Sequence, residues 1–272
     1  MKNSQPIVLL TGVSSGIGLD AAQRLLDRGC EVWGACRREP APLKGNFHWI
    51  PLDLTDGQSI EQCTSRFLNE AQRIDILVNN AGYGQYGPVE MVSIDDARRQ
   101  MEVNLMGLAH LTQLLLPQMR KQGAGRIINI ASMAGKVHTA YGAWYHAAKF
   151  ALEGFSDCLR WELRPLGIRV ILIEPGCIRT PWGTIASDHL RESTEGTAYA
   201  ANAAKVARTM EKIYGSRWIS HPSLIGKTIV RAALAAHPRT RYLTGFMARP
   251  SVLMRRLLPD RAFDYVLRLI EC

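Results

Sequence analysis

Short apolar runs alternate with segments of helical period from the first residues onward. PIVLL (6–10), CEVWGAC (30–36), NFHWIPLDL (46–54), IDILVNN (74–80), RIINIAS (126–132) and IRVILIEPG (168–176) read as strands. Between them lie an amphipathic stretch stopping at Arg28-Gly29, a polar helix from Asp56 to Gln72, a long helix over 95–121 and another over 143–164. Strands written as unbroken Val/Ile/Leu runs and separated by helices belong to a parallel sheet covered on both faces. Right-handed crossovers make such a sheet doubly wound, with ligands at the carboxyl ends of its strands. The expected fold is therefore α/β: a doubly wound, mostly parallel, seven-stranded Rossmann sheet with helices on both faces. TRYLTG (240–245) supplies the seventh strand, and no linker or repeat divides the chain, so 1–272 reads as a single domain.

After Thr180 the pattern loosens. Residues 181–220 read as irregular to helical, in the position of a substrate lid. A helix over 222–236 starts at Pro222, and 246–272 reads as an amphipathic tail of two short helices broken by Pro259.

Composition narrows the class. The chain has 272 residues, 47% hydrophobic and 21% charged, as a globular protein has. It lacks an 18-residue apolar run, and its first apolar stretch is too short for a signal peptide. Six scattered cysteines, with no CxxC pair and no metal-ligand spacing, read as reduced thiols of a cytoplasmic protein without a metal. The net charge is +9, and residues 216–272 hold ten Arg/Lys against three Asp/Glu. Without interleaved aromatics on a nucleic-acid-binding pattern, no nucleic-acid partner is expected. The basic tail permits contact with anionic lipid; the commoner outcome is packing over the domain or across a subunit contact.

TGVSSGIG (11–18) follows the first strand and opens the first helix. Gly12 permits a tight turn, Gly16 lets main chain approach a pyrophosphate, and Gly18 lets helix and strand pack closely. The helix N-terminus supplies free N–H groups and positive dipole. Placed between strand and helix, this turn points to a dinucleotide.

A second motif is YGAWYHAAK (141–149), which steps Tyr141, Tyr145 and Lys149 along one helical stripe. A phenol ordinarily titrates near ~10 and is a poor base at neutral pH. Two unit charges about 4 Å apart at an effective dielectric of about 20 interact by roughly 4 kcal/mol. An ammonium that close would bring the phenol down toward about 7, where acid–base catalysis is efficient. Among the eight tyrosines only Tyr145 has a lysine at i+4. Tyr145 is thus the chemical one, while Tyr141 lines a substrate pocket or simply packs.

TGVSSGIG with three residues between its first two glycines, NNAG (79–82), YxxxK (145–149) and PGxIxT (175–180), in that order, resemble the short-chain dehydrogenase/reductase family over residues 7–180. More loosely, NNAGYGQYGPVE and RYLTG…LMRRLLPDR resemble its hydroxysteroid- and retinol-dehydrogenase-like branch. The resemblance implies that Gly12, Ser14, Ser15, Gly16, Ile17 and Gly18 hold the cofactor phosphates. It implies that Asn80, Ala81 and Gly82 wall the adenine side, that Asp53 contacts adenine, and that Pro175, Gly176, Ile178 and Thr180 meet the nicotinamide end. Tyr145 and Lys149 also touch the cofactor. Ser132, thirteen residues before Tyr145, would hold the substrate oxygen, and Asn104 would distort its helix and fix a water linking Lys149 to solvent. Family members are usually dimers or tetramers, so a homodimer or homotetramer is expected on that basis.

At the end of the second strand, GACRRE places Cys36 where an NAD enzyme has a carboxylate, followed by Arg37 and Arg38. Two guanidiniums without a carboxylate suit a 2′-phosphate, and hence NADP(H); Ser15 stands where a further basic marker is frequent. The implied reaction is hydride transfer between nicotinamide and an apolar ketone or aldehyde and its alcohol. Pocket residues should come from 83–90, 133–142 and the lid, including Trp182, Ile185, Tyr199 and Trp218, with Ser132, Tyr141 and Tyr145 at its base. His138 reads as a surface histidine or a substrate contact, the former preferred, and Cys177 lacks a base that would make it a nucleophile. The alternatives are an NAD-dependent alcohol dehydrogenase of the same fold and a regulator that senses NADP(H) without turnover. The intact Asn104, Ser132, Tyr145 and Lys149 set weighs against the regulator.

Overall fold

The structure, a computed structural model, describes residues 5–271. Seven strands form one sheet: β1 (Ile7–Thr11), β2 (Glu31–Cys36), β3 (Phe47–Pro51), β4 (Ile76–Asn79), β5 (Gly125–Ile130), β6 (Ile168–Pro175) and β7 (Arg241–Thr244). Their order is β3-β2-β1-β4-β5-β6-β7, with every neighbouring pair parallel. The chain winds outward from β1 to β3, then returns to place β4 on the other side of β1. That reversal opens a crevice at the carboxyl ends of β1 and β4.

The unbroken apolar runs are explained by two separate cores. Val8, Leu10, Ile76, Val78, Ile128 and Ile171 point to one face, where α1 (Gly16–Leu26) and α8 (Pro222–Leu234) cover them. Ile7, Leu9, Leu77, Ile127 and Val170 point to the other, beneath α2 (Gly57–Ala71), α4 (Gly107–Gln122) and α5 (Ala143–Leu163). Alternate residues of one strand thus enter different cores, which is why the strands read as unbroken apolar runs.

The helix expected over 95–121 is interrupted. It comprises α3 (Ile94–Met101), a π-helical turn (Glu102–Met106) and α4. Gly107, where α4 begins, lets the helix lie against the backbone of Leu54, whose carbonyl oxygen would collide with a Cβ there. Residues after Thr180 are more regular than the sequence suggests: α6 (Trp182–Glu192) and α7 (Ala200–Gly215) form a helical pair joined by buried Ala186, Leu190, Ala203, Val206 and Ala207. The tail folds as two helices, α9 (Ala248–Leu257) and α10 (Asp260–Glu271), with Pro259 between them. Of the six cysteines, Cys272 lies outside the described residues, and the other five are free thiols.

Candidate active site

A cavity of about 800 Å³ opens at the carboxyl ends of the strands and runs from the glycine turn to the tail helices. Gly12, Ser14, Ser15, Gly16, Ile17, Gly18, Arg37, Arg38, Asp53, Asn80, Ala81, Gly82, Pro175, Gly176, Ile178 and Thr180 all line it. So do Ser132, Tyr145, Lys149 and Trp182, whereas Asn104 and Tyr141 do not.

At one end the wall is main chain. Gly12 and Gly16 have φ of +73° and +58°, a region that suits glycine. A Cβ on Gly12 would lie 2.9 Å from the Ala81 Cα, and one on Gly18 would fall on the Gly12 carbonyl oxygen. Asn80 holds the turn in place: its Nδ2 donates to the carbonyls of Thr11 at 3.0 Å and Gly12 at 3.2 Å. Thr11 Oγ1 in turn accepts from the backbone N–H groups of Asn80 and Ala81, both at 3.0 Å. Ser15 caps α1 without a side-chain cap bond, so the first-turn N–H groups face the cavity end. These features fit a dinucleotide, whose phosphates need free N–H donors and close approach of main chain.

The second strand ends in Cys36, whose Sγ donates to the Arg38 carbonyl at 3.0 Å. Burial pushes that thiol up, so no negative charge stands there at neutral pH. Arg37 and Arg38 are exposed at the rim. Asp53 accepts from the N–H and hydroxyl of Thr55 at 2.9 and 2.8 Å. Partial burial works to raise its pKa, but the Thr55 bonds and the charges of Arg37 and Arg99 hold it below the usual carboxylate value.

Farther along, Ser132 lies just past the end of β5 and caps a short 3₁₀ turn, its Oγ accepting from Ala134 N at 3.1 Å. It also hydrogen-bonds the Tyr145 hydroxyl. Lys149 lies on the next turn of α5, only 6% exposed, and donates to the Ile130 carbonyl at 2.9 Å. Its Nζ stands 6.0 Å from the centre of the Tyr145 ring. Burial lowers Lys149 to about 8, partly opposed by the negative charge of Glu153. Burial also pushes Tyr145 up to about 12, against the Ser132 hydrogen bond, which favours ionisation. The expectation of a phenol near neutrality is therefore corrected: desolvation in this cavity outweighs the Ser132 hydrogen bond, and Tyr145 keeps its proton.

Tyr141 requires a second correction. Helix α5 begins at Ala143 with Gly142 as its N-cap, so Tyr141 lies before the helix rather than on the Tyr145–Lys149 stripe. Its φ is +62°, and its hydroxyl accepts from Asn202 Nδ2 at 2.8 Å. Its ring meets Tyr199 edge-on, outside the cavity lining.

Asn104 sits fully buried inside the π-helical turn. Its Nδ2 donates to the Tyr83 carbonyl at 2.8 Å, and its Oδ1 accepts from Tyr83 N at 3.1 Å. A Cβ on Gly82 would lie 2.8 Å from that Oδ1 and 3.8 Å from Lys149 Nζ, so Asn104 and Lys149 flank this glycine. The asparagine fixes the loop that walls the lysine.

Behind the lysine lies a charged cluster that the sequence reading missed. Glu153, one helical turn beyond Lys149, and Glu174, the residue before Pro175, are both buried. Arg241 of β7 bonds both carboxylates and Asp157, and Lys136 reaches Glu153 at 3.1 Å and Glu174 at 3.3 Å. Burial and the Glu174 charge raise the Glu153 carboxyl, and Arg241 and Lys136 oppose them. The signal was present: Glu153 is i+4 from Lys149, a carboxylate on a stripe that otherwise enters the core.

The other end of the cavity is aromatic and aliphatic. Trp182 stands 5.0 Å from the Tyr145 ring and 5.8 Å from those of Tyr86 and Tyr214. Ile185, Val206, Met210 and Ile213 add lid surface, and the tail contributes Met254, Phe263 and Leu267. Tyr199 and Trp218 do not line it. The contribution of the tail was not foreseen; amphipathicity marks an apolar face but not what it covers. His138 lines the rim half-exposed, its Nε2 3.0 Å from Asp264 Oδ1 on α10. Cys177 is buried, and burial pushes its thiol up to about 11, so it holds its proton.

Comparison with known proteins agrees with this geometry. Residues 6–190 match the family model described as short chain dehydrogenase. The chain is 33% identical to the 3-ketodihydrosphingosine reductase of Bacteroides thetaiotaomicron over 265 residues, covering 97% of each. It is 34% identical to human retinol dehydrogenase 5 over 284 residues, covering 97% of this chain and 88% of the relative. A short-chain dehydrogenase structure from Streptomyces avermitilis superposes with a TM-score of 0.78 at 31% identity, covering 98% and 97%. The closed form of a serine dehydrogenase complexed with NADP+ superposes at 0.73 with 26% identity, covering 89% and 95%. Strand order, glycine cradle, Ser132–Tyr145–Lys149 grouping and these likenesses together establish that the chain belongs to the short-chain dehydrogenase/reductase family.

Proposed function

We propose that the protein is an NADP(H)-dependent oxidoreductase that interconverts an apolar ketone or aldehyde and the corresponding secondary or primary alcohol. The observation that carries this reading is the hydrogen-bonded Tyr145–Ser132 pair beside Lys149, set where a polar main-chain cradle meets an apolar chamber. Arg37 and Arg38 at the rim, following the uncharged Cys36 that ends β2, favour a 2′-phosphorylated dinucleotide. An NADP+-bound serine dehydrogenase among the structural neighbours supports the same choice. When bound, the nicotinamide would supply or accept the hydride.

The protein's own groups would handle the proton and the oxygen. Two hydroxyls in contact, Ser132 Oγ and Tyr145 Oη, define a place where a carbonyl oxygen accepts two hydrogen bonds. Tyr145, protonated through the neutral range, donates the proton that converts the developing alkoxide into an alcohol. Lys149 remains largely cationic at neutral pH and stabilises negative charge developing on the phenol oxygen. The aromatic and aliphatic walls, and relatives named for 3-ketodihydrosphingosine and for retinol, favour an apolar substrate.

The test is NADPH oxidation with a panel of hydrophobic ketones. Tyr145→Phe should lower kcat/KM by about 10²–10⁴-fold while leaving NADPH binding in place. Undiminished turnover by that variant would remove Tyr145 from the chemistry; tight NADPH binding with no turnover on any carbonyl would favour the regulator. The pH profile adds a sign. Reduction needs the protonated phenol and the Lys149 ammonium, so its rate should stay level through neutrality and fall as pH passes the Lys149 value of about 8, below the raised phenol value. Alcohol oxidation needs the phenolate, so its rate should climb with pH toward the alkaline side.

A further inference from the structure

Helices α9 and α10 each carry the same outer stripe. Arg249, Leu253, Arg256 and Leu257 recur at i, i+4, i+7 and i+8 on α9, and all four are exposed. Arg261, Tyr265, Arg268 and Leu269 repeat that spacing on α10, again all exposed. The apolar members are far from buried: Leu257 is 70% exposed, Leu269 65%, Tyr265 63% and Leu253 56%. Among the described residues, none of the four arginines has a carboxylate within salt-bridge distance. The nearby acids serve other partners, Asp260 pairing with Arg255 at 2.7 Å and Asp264 with His138 at 3.0 Å.

The inner stripe of α10 differs. Phe263, Leu267 and Ile270, at i, i+4 and i+7, line the cavity. Ile270 is also 45% exposed, which places it at the cavity mouth. The helix is thus a partition, with the chamber on one side and a face of arginines and large apolar residues on the other.

We infer that the outer face of α9 and α10 docks on an anionic lipid bilayer, with the cavity mouth beside the lipid. Arginines interleaved with leucines and a tyrosine at helical period give an interfacial element both the apolar area and the positive charge it needs. A second copy of this chain fits the face less well. A two-fold contact sets the same patch against itself, arginines against arginines, with their neighbouring acids already engaged. A nucleic acid would leave Leu253, Leu257 and Leu269 without apolar partners. Docking stands independently of the proposed chemistry; delivery of an apolar substrate from the bilayer rests on that chemistry.

The test uses the full-length protein with vesicles of phosphatidylcholine alone, or of phosphatidylcholine mixed with an equal part of phosphatidylglycerol. Co-sedimentation is expected with the mixed vesicles and much less with the neutral ones. Replacing the four arginines with glutamine should weaken binding on the order of 10²–10³-fold, since each contributes roughly one factor of five. The variant Leu253→Ser, Leu257→Ser, Tyr265→Ser, Leu269→Ser should also release the protein from vesicles. Neither variant touches the cavity lining, so both should turn over a short water-soluble ketone with NADPH at the unmodified rate. Failure to sediment with mixed vesicles, or equal sedimentation with both kinds, overturns the inference. So does a serine variant that falls from dimer to monomer in gel filtration yet still binds vesicles, because a second copy then covers the face. If vesicles bind as expected but no ketone is reduced, docking survives and the proposed chemistry fails.

Discussion

The glycine end of the cavity is made of backbone, and the tryptophan end is made of side chains on helices outside the sheet. At the first, Gly12, Gly16 and Gly18 bring main chain to the surface, and Asn80 and Thr11 fix it with four hydrogen bonds to backbone groups. At the second, Trp182, Met210, Tyr214, Met254 and Phe263 project from α6, α7, α9 and α10. Backbone walls present the same N–H groups whatever side chain is substituted nearby, which suits a ligand that never changes. Side-chain walls change shape with each substitution, which suits a chamber that selects one substrate from many. Ser132, Tyr145 and Lys149 stand at the boundary, just past β5 and on α5, anchored to the sheet rather than to the lid.

The sharpest way to break this contrast is Gly18→Ala. Its new Cβ falls on the Gly12 carbonyl oxygen, a backbone atom, and within 2.6 Å of Asn80 Nδ2, the side chain that holds the turn. Overpacking of this kind costs about 1–3 kcal/mol or more. The cradle should open, NADPH affinity should fall by about 10²-fold, and the melting temperature should drop; titration and thermal unfolding read both. If the alanine variant binds NADPH as well as the parent protein does, the main-chain cradle is not the phosphate site.

A next, smaller effect separates the cofactors within the same end. Arg37→Asp removes a guanidinium and restores a carboxylate beside the place where Cys36 now stands. Charge-assisted hydrogen bonds contribute about 1.5–3 kcal/mol. NADPH should therefore weaken by about 10- to 100-fold, while NADH holds or tightens in parallel titrations. Equal losses for both would deny Arg37 any part in discriminating them.

Much of the first end was legible in the sequence, and less of the second, for a physical reason. A glycine at a positive φ, or an apolar run buried on both sides, has one cause, so TGVSSGIG and the strands read directly. The lid has many. Its contacts run through small residues such as Ala186, Ala203 and Ala207, which give a faint helical period, and 181–220 read only as irregular to helical although α6 and α7 are well formed. The tail's amphipathicity was visible, but only the folded chain shows Phe263 and Leu267 roofing the chamber. The phenol's titration misled for a related reason: the i+4 lysine could be read off, but the burial that raises the phenol could not.

At the side-chain end the expected effects are smaller and confined to substrate. Trp182→Ala removes an indole packed against Tyr86, Tyr145 and Tyr214 while leaving the glycine turn untouched. Losing a large apolar contact is worth about 1.5–3 kcal/mol. KM for bulky ketones should rise by about 10- to 100-fold, with NADPH affinity and turnover of a short ketone nearly unchanged. A comparable loss of NADPH affinity would mean that the two ends are not separate.

The smallest effect belongs to Tyr141, and it isolates what makes Tyr145 different. Both are tyrosines of one nine-residue motif, and both rings pack near the lid. Tyr141 precedes the helix with φ of +62°, so it cannot share the stripe that brings Tyr145 and Lys149 together. Its hydroxyl accepts one hydrogen bond, from Asn202, and stands outside the cavity lining. Tyr141→Phe removes only that bond, which at a solvent-accessible site contributes about 1 kcal/mol or less. Activity should stay within about twofold of the parent, and the loss of stability should be about 1 kcal/mol at most in urea unfolding. If Tyr141→Phe instead cuts kcat as deeply as Tyr145→Phe, the second phenol reaches the substrate and helical position is not what selects the acid.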